Sequence, residues 1–372
     1  MEFTLAHQYL GGKSRLNPDW TWQPIVDIGP VSVGHGERAF IVAELSANHV
    51  GSLELALETI NAAAESGANA IKLQTYTPDT ITFKGESEVF RVNSGGVWDG
   101  RTLHDLYSEA YTPWEWHAEL FEHANKLGLV AFSSPFDPTA IELLEALNSP
   151  TYKVASFEIT DTPLIERMAA TGKPIVISTG VASLGDIERA LAACISAGND
   201  QVVLLKCTSA YPADFREANL RTMVDMNSRF GVPVGLSDHT IGDTAATTAV
   251  ALGACFIEKH LILERDLGGP DSGFSLEPQE FAGMVQAVRQ TEAALGEVTY
   301  DLTAGSRGSR QFVRSLFVVE DVVAGTKVSE SNVRSIRPGD GLPPGELPAL
   351  IGREFKNTVA AGTPLALNML KL

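Results

Sequence analysis

From residue 40 onward the chain alternates between two hydrophobic periods. FIVAELSAN is an apolar run of strand length, SLELALETINAAAESG repeats its apolar positions at helical spacing up to Gly67, and AIKLQTY is a second strand-like run. After an inserted stretch around SGGVWDGRTLHDLY, the same alternation resumes with WEWHAELFEHANKLG and LVAFSSPF. It continues through TYKVASFE, PIVISTG, VVLLKCTS, PVGLSDH and CFIEKHLIL, with a helical pattern after each, and closes on PQEFAGMVQAVRQTEAALG. About eight strands, each followed by a helix, predict an α/β fold of the (β/α)8 TIM barrel type, with a doubly wound open sheet as the alternative. Thr162-Pro163 and a capping box at Ser183 predict helix starts, while Gly67, Gly128, Gly172 and Gly198 sit where helices should stop.

Near Tyr300 the alternation ends. Short β-runs between Gly/Pro turns predict a small β-rich domain over residues 314–372, joined through a linker, residues 299–313, to a barrel over residues 40–298. Residues 1–39 are mixed and punctuated by Gly and Pro, which predicts an irregular extension or hairpin packed on the outside of the barrel domain.

Charge narrows the partners. Lys and Arg number 28 against 46 Asp and Glu, a formal net charge of −18, so a nucleic-acid backbone is not the expected ligand and any anion must be met by local lysines. Three scattered cysteines, Cys194, Cys207 and Cys255, with no C-x-x-C, predict no disulfide framework and a reducing compartment. The first twenty residues contain no continuous apolar signal region. Residues 244–257, the longest nearly uncharged run, fall short of the ~20 needed to cross a bilayer. A cytoplasmic protein without a membrane partner is expected. No Gly-rich phosphate loop follows the first strand, which argues against a nucleotide enzyme.

In a barrel, function collects where strands end on their C-terminal side. Those ends carry Glu44, Lys72, Gln74, Ser134, Lys153, Ser156, Glu158, Ser178, Lys206, Ser209, Tyr211, Ser237, His239, Glu258 and His260. Strand alternation puts Lys72 with Gln74 on one face, and Lys206 with Thr208 on one face. Lysines inside apolar runs demand anionic partners, so two or three of them with a ring of serines predict a site for a small polyanion. His239 and His260 each end a strand of one βαβ unit, where both imidazoles can converge on a divalent metal; Mn²⁺, Mg²⁺ and Zn²⁺ all suit nitrogen and oxygen donors. Asp238 and Glu258 stand ready to ligate or to orient an imidazole. Glu44, Glu158 and Asp271 add carboxylates for acid/base work. Arg337, in the turn-rich Arg-Pro-Gly-Asp-Gly of the β-rich module, reads by itself as a solvated loop residue.

IVAELSANHVGSLELA, IKLQTYTPDT, FSSPFD, YKVASFE, VISTG, KCTSAYP, GLSDHT, EKH and RPGDG, in this order from Phe40 to the C-terminus, resemble the sialic acid synthase family. The resemblance implies a TIM barrel followed by an antifreeze-like (SAF) domain. It further implies condensation of phosphoenolpyruvate with the open-chain aldehyde of an acetamido sugar, releasing phosphate. Within the family, AELSANH, the GGVWDG insertion and YKVASFE are most similar to the branch acting on 2,4-diacetamido-2,4,6-trideoxy-L-altrose; N-acetylmannosamine and the legionaminate precursor are the alternative sugars, and a non-catalytic saccharide-binding protein the remote one.

Carried over from the resemblance, Lys72, Ser134, Lys153, Ser156, Ser178, Ser209 and Ser237 would bind phosphoenolpyruvate. Gln74, Tyr211, Asp271 and Arg337 would address the sugar, and Glu44 and Glu158 would move protons. His239 and His260 would hold the metal, Mn²⁺ or Mg²⁺ ahead of Co²⁺ and Zn²⁺. Arg337 would reach over the barrel of the other subunit in a homodimer. Lys206 and Ser209 stand where neuraminate synthases more often carry His and Asn, and Phe157 replaces a glycine, which places an apolar ring near the sugar and suits a 6-deoxy substrate.

Overall fold

A computed structural model describes residues 19–93 and 98–371. The chain divides into two compact units, Met1–Gly296 and Glu297–Leu372. The first opens with a hairpin, β1 (Ile25–Ile28) against β2 (Val31–Gly34), and then runs β3 (Phe40–Glu44), α1 (Leu53–Glu65) and β4 (Ala70–Thr75). An excursion carrying α2 (Pro78–Ile81) and α3 (Leu103–Ala110) leads into α4 (Trp114–Lys126), β5 (Val130–Pro135), α5 (Pro138–Ala146) and β6 (Tyr152–Val154). There follow α6 (Thr162–Ala169), β7 (Ile175–Ser178), α7 (Leu184–Ser196), β8 (Val202–Cys207) and α8 (Arg221–Phe230). The unit ends with β9 (Val234–Asp238), α9 (Thr244–Ala251), β10 (Phe256–His260) and α10 (Pro278–Leu295). Strands β3 to β10 pair in parallel and close into a barrel, β10 bonding back to β3 through Lys259 opposite Ala43 and His260 opposite Glu44. The open-sheet alternative is thereby excluded.

Local chemistry explains where helices begin and stop. Ser52 caps α1 by accepting from Leu55 N, and Ser183 and Asp186 form the expected reciprocal box at α7. The cap of α6 is Asp161, one residue before the expected Thr162; its carboxylate takes the Leu164 N–H at 3.1 Å, a stronger acceptor than a threonine hydroxyl. Gly67, Gly128, Gly172 and Gly198 take positive φ just past α1, α4, α6 and α7.

Two apolar layers hold the barrel. Outward strand residues such as Ile71, Leu73, Val154, Ile177, Leu204 and Ile257 pack against the helices. Inward residues Phe40, Val42, Phe132, Val176, Val203, Leu205 and Phe256 form a separate cluster, joined by Val26, Ile28 and Val33 of the hairpin. The hairpin therefore packs on the barrel's apolar interior from its N-terminal end, not on the outside as expected. Burying each of these phenylalanines contributes about 1.5–3 kcal/mol. Gly235 permits the closure of β9 on β10, since a Cβ there would lie 2.4 Å from the Phe256 carbonyl oxygen. With the N-terminal half filled, only the C-terminal mouth is left open for chemistry.

In the second unit a short helix, α11 (Ala304–Ser309), lies within the expected linker, and β11 (Ser315–Val318) pairs antiparallel with β12 (Val333–Ile336). Further isolated antiparallel bridges, including Val322 with Val359 and Phe355 with Leu370, and a turn of helix, α12 (Leu347–Leu350), enclose a core of Leu316, Val318, Val333, Leu350, Phe355 and Leu365. Among the described residues no helix is long and apolar enough to cross a membrane.

Candidate active site

The alternation of each strand decides which side chains reach the mouth. On β4 the outward residues are Ile71 and Leu73, so Lys72 and Gln74 point in; on β6 outward Tyr152 and Val154 turn Lys153 in. On β9 and β10 the same rule brings in Ser237 with His239, and Glu258 with His260. It also corrects one expectation: β8 sends Val203 and Leu205 inward, so Lys206 faces out, its Nζ donating to the Cys207 carbonyl at 2.6 Å. Lys206 does not join the anion site.

The floor of the mouth is a chain of alternating buried charges. Lys72 Nζ lies 2.6 Å from Glu44 Oε2 and 3.7 Å from Glu258 Oε2, and Lys153 Nζ lies 3.9 Å from Glu258 Oε1. Both lysines are at most 3% exposed, so only paired carboxylates make their charges tenable. Burial opposes the charge of Glu258, but Lys153 and Lys72 outweigh it and hold its carboxyl below the usual range. Burial raises Glu44; Lys72 draws it back, Glu258 pushes it further, and it comes to rest at about 7. Around this floor stand hydroxyls: Ser178 accepts from Lys153 Nζ at 2.6 Å, Ser134 from Lys72 Nζ at 3.4 Å, and Ser237 donates to Glu258 at 2.9 Å. Gly180 donates its N–H to Ser156 Oγ at 3.3 Å, and a Cβ on Gly180 would strike Ser209 Oγ at 2.1 Å and Ser156 Oγ at 2.8 Å. The absence of a side chain at Gly180 is what lets two serines and a backbone N–H converge, as an oxyanion cradle requires.

Above the floor is a cavity of 390 Å³, large enough for a small ligand pair. Lys72, Lys153, Ser156, Ser178 and Ser237 line its polar end, with Glu44, Gln74, Glu158, Tyr211, Asp271, His239 and His260 around them. Gln74 Nε2 donates to Glu44 at 3.2 Å and to Ser46 at 2.9 Å, and Ser46 donates to Asp271. Ser46 has φ 47°, a left-handed conformation that a serine adopts only at a cost, and it is what turns this hydroxyl between Gln74 and Asp271. Glu158 has an unpartnered buried Oε2, and burial lifts its pKa to about 7. Arg337 belongs to the second unit, exposed just after β12.

His239 and His260 approach with ring centroids 5.3 Å apart. His239 Nδ1 donates to the Thr208 carbonyl at 2.9 Å, which leaves the lone pair of the neutral ring on Nε2. His260 Nδ1 is buried without a hydrogen-bond partner, and burial followed by the nearby His239 keeps this ring neutral far below ordinary histidine pKa values. Burial opposes a charge on His239, but the neighbouring Cys207 and the Thr208 carbonyl hold its pKa above the ordinary histidine value, so a divalent cation bound here would displace a proton from His239 while His260 offers a nitrogen already free. Among the described residues no third His, Cys, Asp or Glu completes a cluster, so water or substrate oxygen would fill the remaining positions. Phe274 and Tyr211 wall the rings from solvent, Phe274 at 4.9 Å from His260 and Tyr211 at 4.6 Å from His239.

Sequence reasoning missed part of the wall. The excursion between β4 and α4 supplies Trp98, Leu103, Leu106 and Tyr107 to the cavity. Trp98 donates its indole N–H to the Pro270 carbonyl at 3.0 Å and packs 5.2 Å from Tyr211, while Tyr107 packs on Tyr76 at 5.5 Å. Ser46, Phe136 and Phe274 were likewise unmarked by any period, since each sits in a loop or at a strand's last turn. Cys207 is a further neighbour: its Sγ is 3.5 Å from Ser156 Oγ and 3.9 Å from His239 Nδ1.

A parallel barrel whose mouth joins buried lysines, paired carboxylates and two facing imidazoles is an enzyme built for a small anionic substrate. The NeuB family model matches residues 59–300, and the SAF domain model matches residues 313–371. The chain is 47% identical over 327 residues to the pseudaminic acid synthase of Helicobacter pylori, spanning 88% of this chain and 96% of that protein. It is 36% identical to the N,N'-diacetyllegionaminic acid synthase of Legionella pneumophila, over 89% of this chain and 94% of that one. Among solved structures, the N-acetylneuraminic acid synthetase of Leptospira borgpetersenii serovar Hardjo-bovis in complex with citrate superposes with a TM-score of 0.68 at 31% identity, covering 77% of this chain and 95% of that one. The chain belongs to the NeuB family.

Proposed function

We propose that the barrel mouth condenses phosphoenolpyruvate with the open-chain aldehyde of 2,4-diacetamido-2,4,6-trideoxy-L-altrose, giving pseudaminic acid and phosphate. The observation that carries this reading is the joining, in one cavity, of a lysine and serine floor with a facing histidine pair and two carboxyls whose pKa values lie near 7. The identity to pseudaminic acid synthases supports the choice of sugar.

Lys72, Lys153, Ser134, Ser156, Ser178, Ser209 and Ser237 hold the phosphate and carboxylate of phosphoenolpyruvate, and Gln74, Tyr211 and Asp271 orient the sugar. As C3 of phosphoenolpyruvate bonds to the aldehyde carbon, Glu158 gives its proton to the aldehyde oxygen. Glu44 takes a proton from the water that adds to C2; collapse of that tetrahedral centre breaks the C2–O bond to phosphate. A divalent metal, Mn²⁺ or Mg²⁺, held by His239 and His260 supplies Lewis-acid polarisation of the aldehyde when bound. Excluding water falls to Phe274, Tyr211 and the Trp98 excursion. Their apolar surface, with Phe157 on the cavity wall, suits a deoxy, acylated sugar better than a fully hydroxylated one.

The working unit is a cytoplasmic homodimer in which Arg337 of one chain reaches over the other's barrel to the sugar's acyl group. Two features support it. The chain carries nine Lys and Arg against eight Asp and Glu from Glu297 on, leaving nineteen against thirty-eight before it, so the barrel's field favours the second unit. Exposed Phe157, Val181, Phe215, Ile241 and Leu267, one after each of β6 to β10, give the mouth an apolar rim.

The test is phosphate release from phosphoenolpyruvate with Mn²⁺, offering the diacetamido-trideoxy-altrose, N-acetylmannosamine and the legionaminate precursor in parallel, with His239→Ala as control. Release with the altrose sugar, lost in the variant, is expected. Release with another sugar alone moves the substrate assignment, and silence with all three overturns the reading in favour of a saccharide-binding protein.

A further inference from the structure

Asp238 and Lys259 each immediately precede one of the two histidines, and alternation turns both away from the mouth, into the layer between barrel and helices. They stand opposite each other in the β9–β10 register, Asp238 at 3% and Lys259 at 0% exposure, with Lys259 Nζ 2.5 Å from Asp238 Oδ2. Both also grip the residue on the far side of His239. Asp238 Oδ1 accepts the Thr240 N–H at 2.9 Å, and Lys259 Nζ donates to the Thr240 carbonyl at 2.5 Å. One step back on the inward face, Ser237 and Glu258 tie the same two strands at 2.9 Å.

His239 is thus held before, behind and across. Its carbonyl accepts from Ala213 N at 3.0 Å and its Nδ1 donates to the Thr208 carbonyl at 2.9 Å, both toward β8; beyond the β9–β10 ladder and the Ser237–Glu258 bond, the buried pair is what ties the residues flanking His239 to the strand end that carries His260. A buried ion pair adds little net stability because desolvating two charges costs about what their attraction returns. Its effect is then chiefly geometric, and the geometry it sets is the spacing of two imidazoles.

We infer that the outward Asp238–Lys259 pair is the positioning device that sets His239 against His260 as a metal-ligand pair. The inference rests on the metal reading above. Orienting groups behind metal ligands characteristically govern affinity by about 10–100-fold.

The experiment is a Mn²⁺ titration of the full-length chain, following free Mn²⁺ by electron paramagnetic resonance, with phosphoenolpyruvate affinity and thermal unfolding measured on the same samples. Lys259→Met strands a buried carboxylate and can fail to fold, so the deciding protein is the double variant Asp238→Leu with Lys259→Met, which removes both charges. The expected result is a folded double variant whose Mn²⁺ dissociation constant rises about 10–100-fold while phosphoenolpyruvate affinity, anchored chiefly by Lys72 on β4 and by Lys153 and Ser178 on β6 and β7, changes far less. A folded double variant that binds Mn²⁺ as tightly as wild type overturns the inference alone. Equal losses of Mn²⁺ and phosphoenolpyruvate binding assign the pair a general structural role and overturn it too. Wild-type chain that takes up no Mn²⁺ overturns the metal reading, and this inference with it.

Discussion

Glu44 is a buried carboxyl and Glu158 a half-buried one with a single buried oxygen; both lie near 7, yet their surroundings differ. Glu44 leans on Lys72 at 2.6 Å, while Glu158 keeps a buried oxygen with no partner and owes its pKa chiefly to lost hydration. A carboxyl of the second kind suits a proton donor at neutral pH, because its own backbone N–H and the more distant Lys153 and Lys72 offset only part of the lost hydration. Glu158 must be protonated to act and Glu44 proton-free, so Glu158 sets a limb that falls as pH rises through about 7, and Glu44 an opposing limb that falls as pH drops through about 7. The expected outcome is a basic limb near pH 7 in the pH profile of kcat/KM that vanishes in Glu158→Gln, with kcat reduced about 10²–10⁴-fold. A Gln variant that keeps the limb would assign it to an acid other than Glu158. Near Glu158, the cradle at Gly180 makes a related point about scale: the deciding feature is a side chain that is missing, and two serines far apart in sequence converge because of it.

At the scale of the element, buried polar residues tie the excursion between β4 and α4 to the barrel. His117, on α4, exchanges a hydrogen bond with Thr75 Oγ1 at 2.9 Å, and Thr75 in turn meets Ser133 at 2.6 Å. Burial lowers the pKa of His117 to about 4, and that of His49 likewise to about 4. An unfolded chain protonates these rings from about 6.5 downward, whereas the folded one refuses until about 4, so the stability they contribute is complete above 6.5 and lost as pH falls toward 4. At pH 5 the loss for one such ring is about 2 kcal/mol. Glu44 and Glu158 act in the opposite sense, since their raised pKa values make the folded state the better proton binder between about 4.5 and 7. The measurement is therefore a difference: between pH 7 and pH 5, His117→Gln should gain about 2 kcal/mol relative to wild type in denaturant melts. A constant offset across that range would show that the ring is not held neutral.

The same scale explains what the sequence made legible. Strand and helix periods sufficed for a barrel, and for Lys72, Lys153, His239 and His260 at its mouth, because polar residues inside apolar runs mark strand ends. They could not phase β8. VVLLKC is apolar on both faces, as parallel barrel strands are, so nothing in the run reveals that Lys206 points out. The hairpin of β1 and β2 escaped for a different reason: four-residue strands are too short for a period, and only contact with Phe40 and Phe256 makes their burial intelligible. Trp98, Tyr107 and Phe274 belong to the site through tertiary contacts between loops, for which local pattern carries no signal.

For the whole molecule the open question of chemistry is whose Arg337 serves which barrel. The acidic barrel, the nearly balanced second unit and the apolar rim all favour association of two copies, and a closed pair with equivalent contacts is the simplest symmetric outcome. Complementation separates the arrangements. Arg337→Ala and Glu158→Gln should each be inactive as homodimers, one for want of the sugar contact and the other for want of the proton donor. When both are produced together, random pairing puts the two defects on opposite chains in half of the dimers. If Arg337 acts across the interface, one barrel of each mixed dimer has an intact Glu158 and receives an intact Arg337, while the other barrel collects both defects. Activity should then return to about a quarter of wild type. If Arg337 serves its own chain, every barrel in the mixture carries one defect, and phosphate release stays at the level of the parent variants.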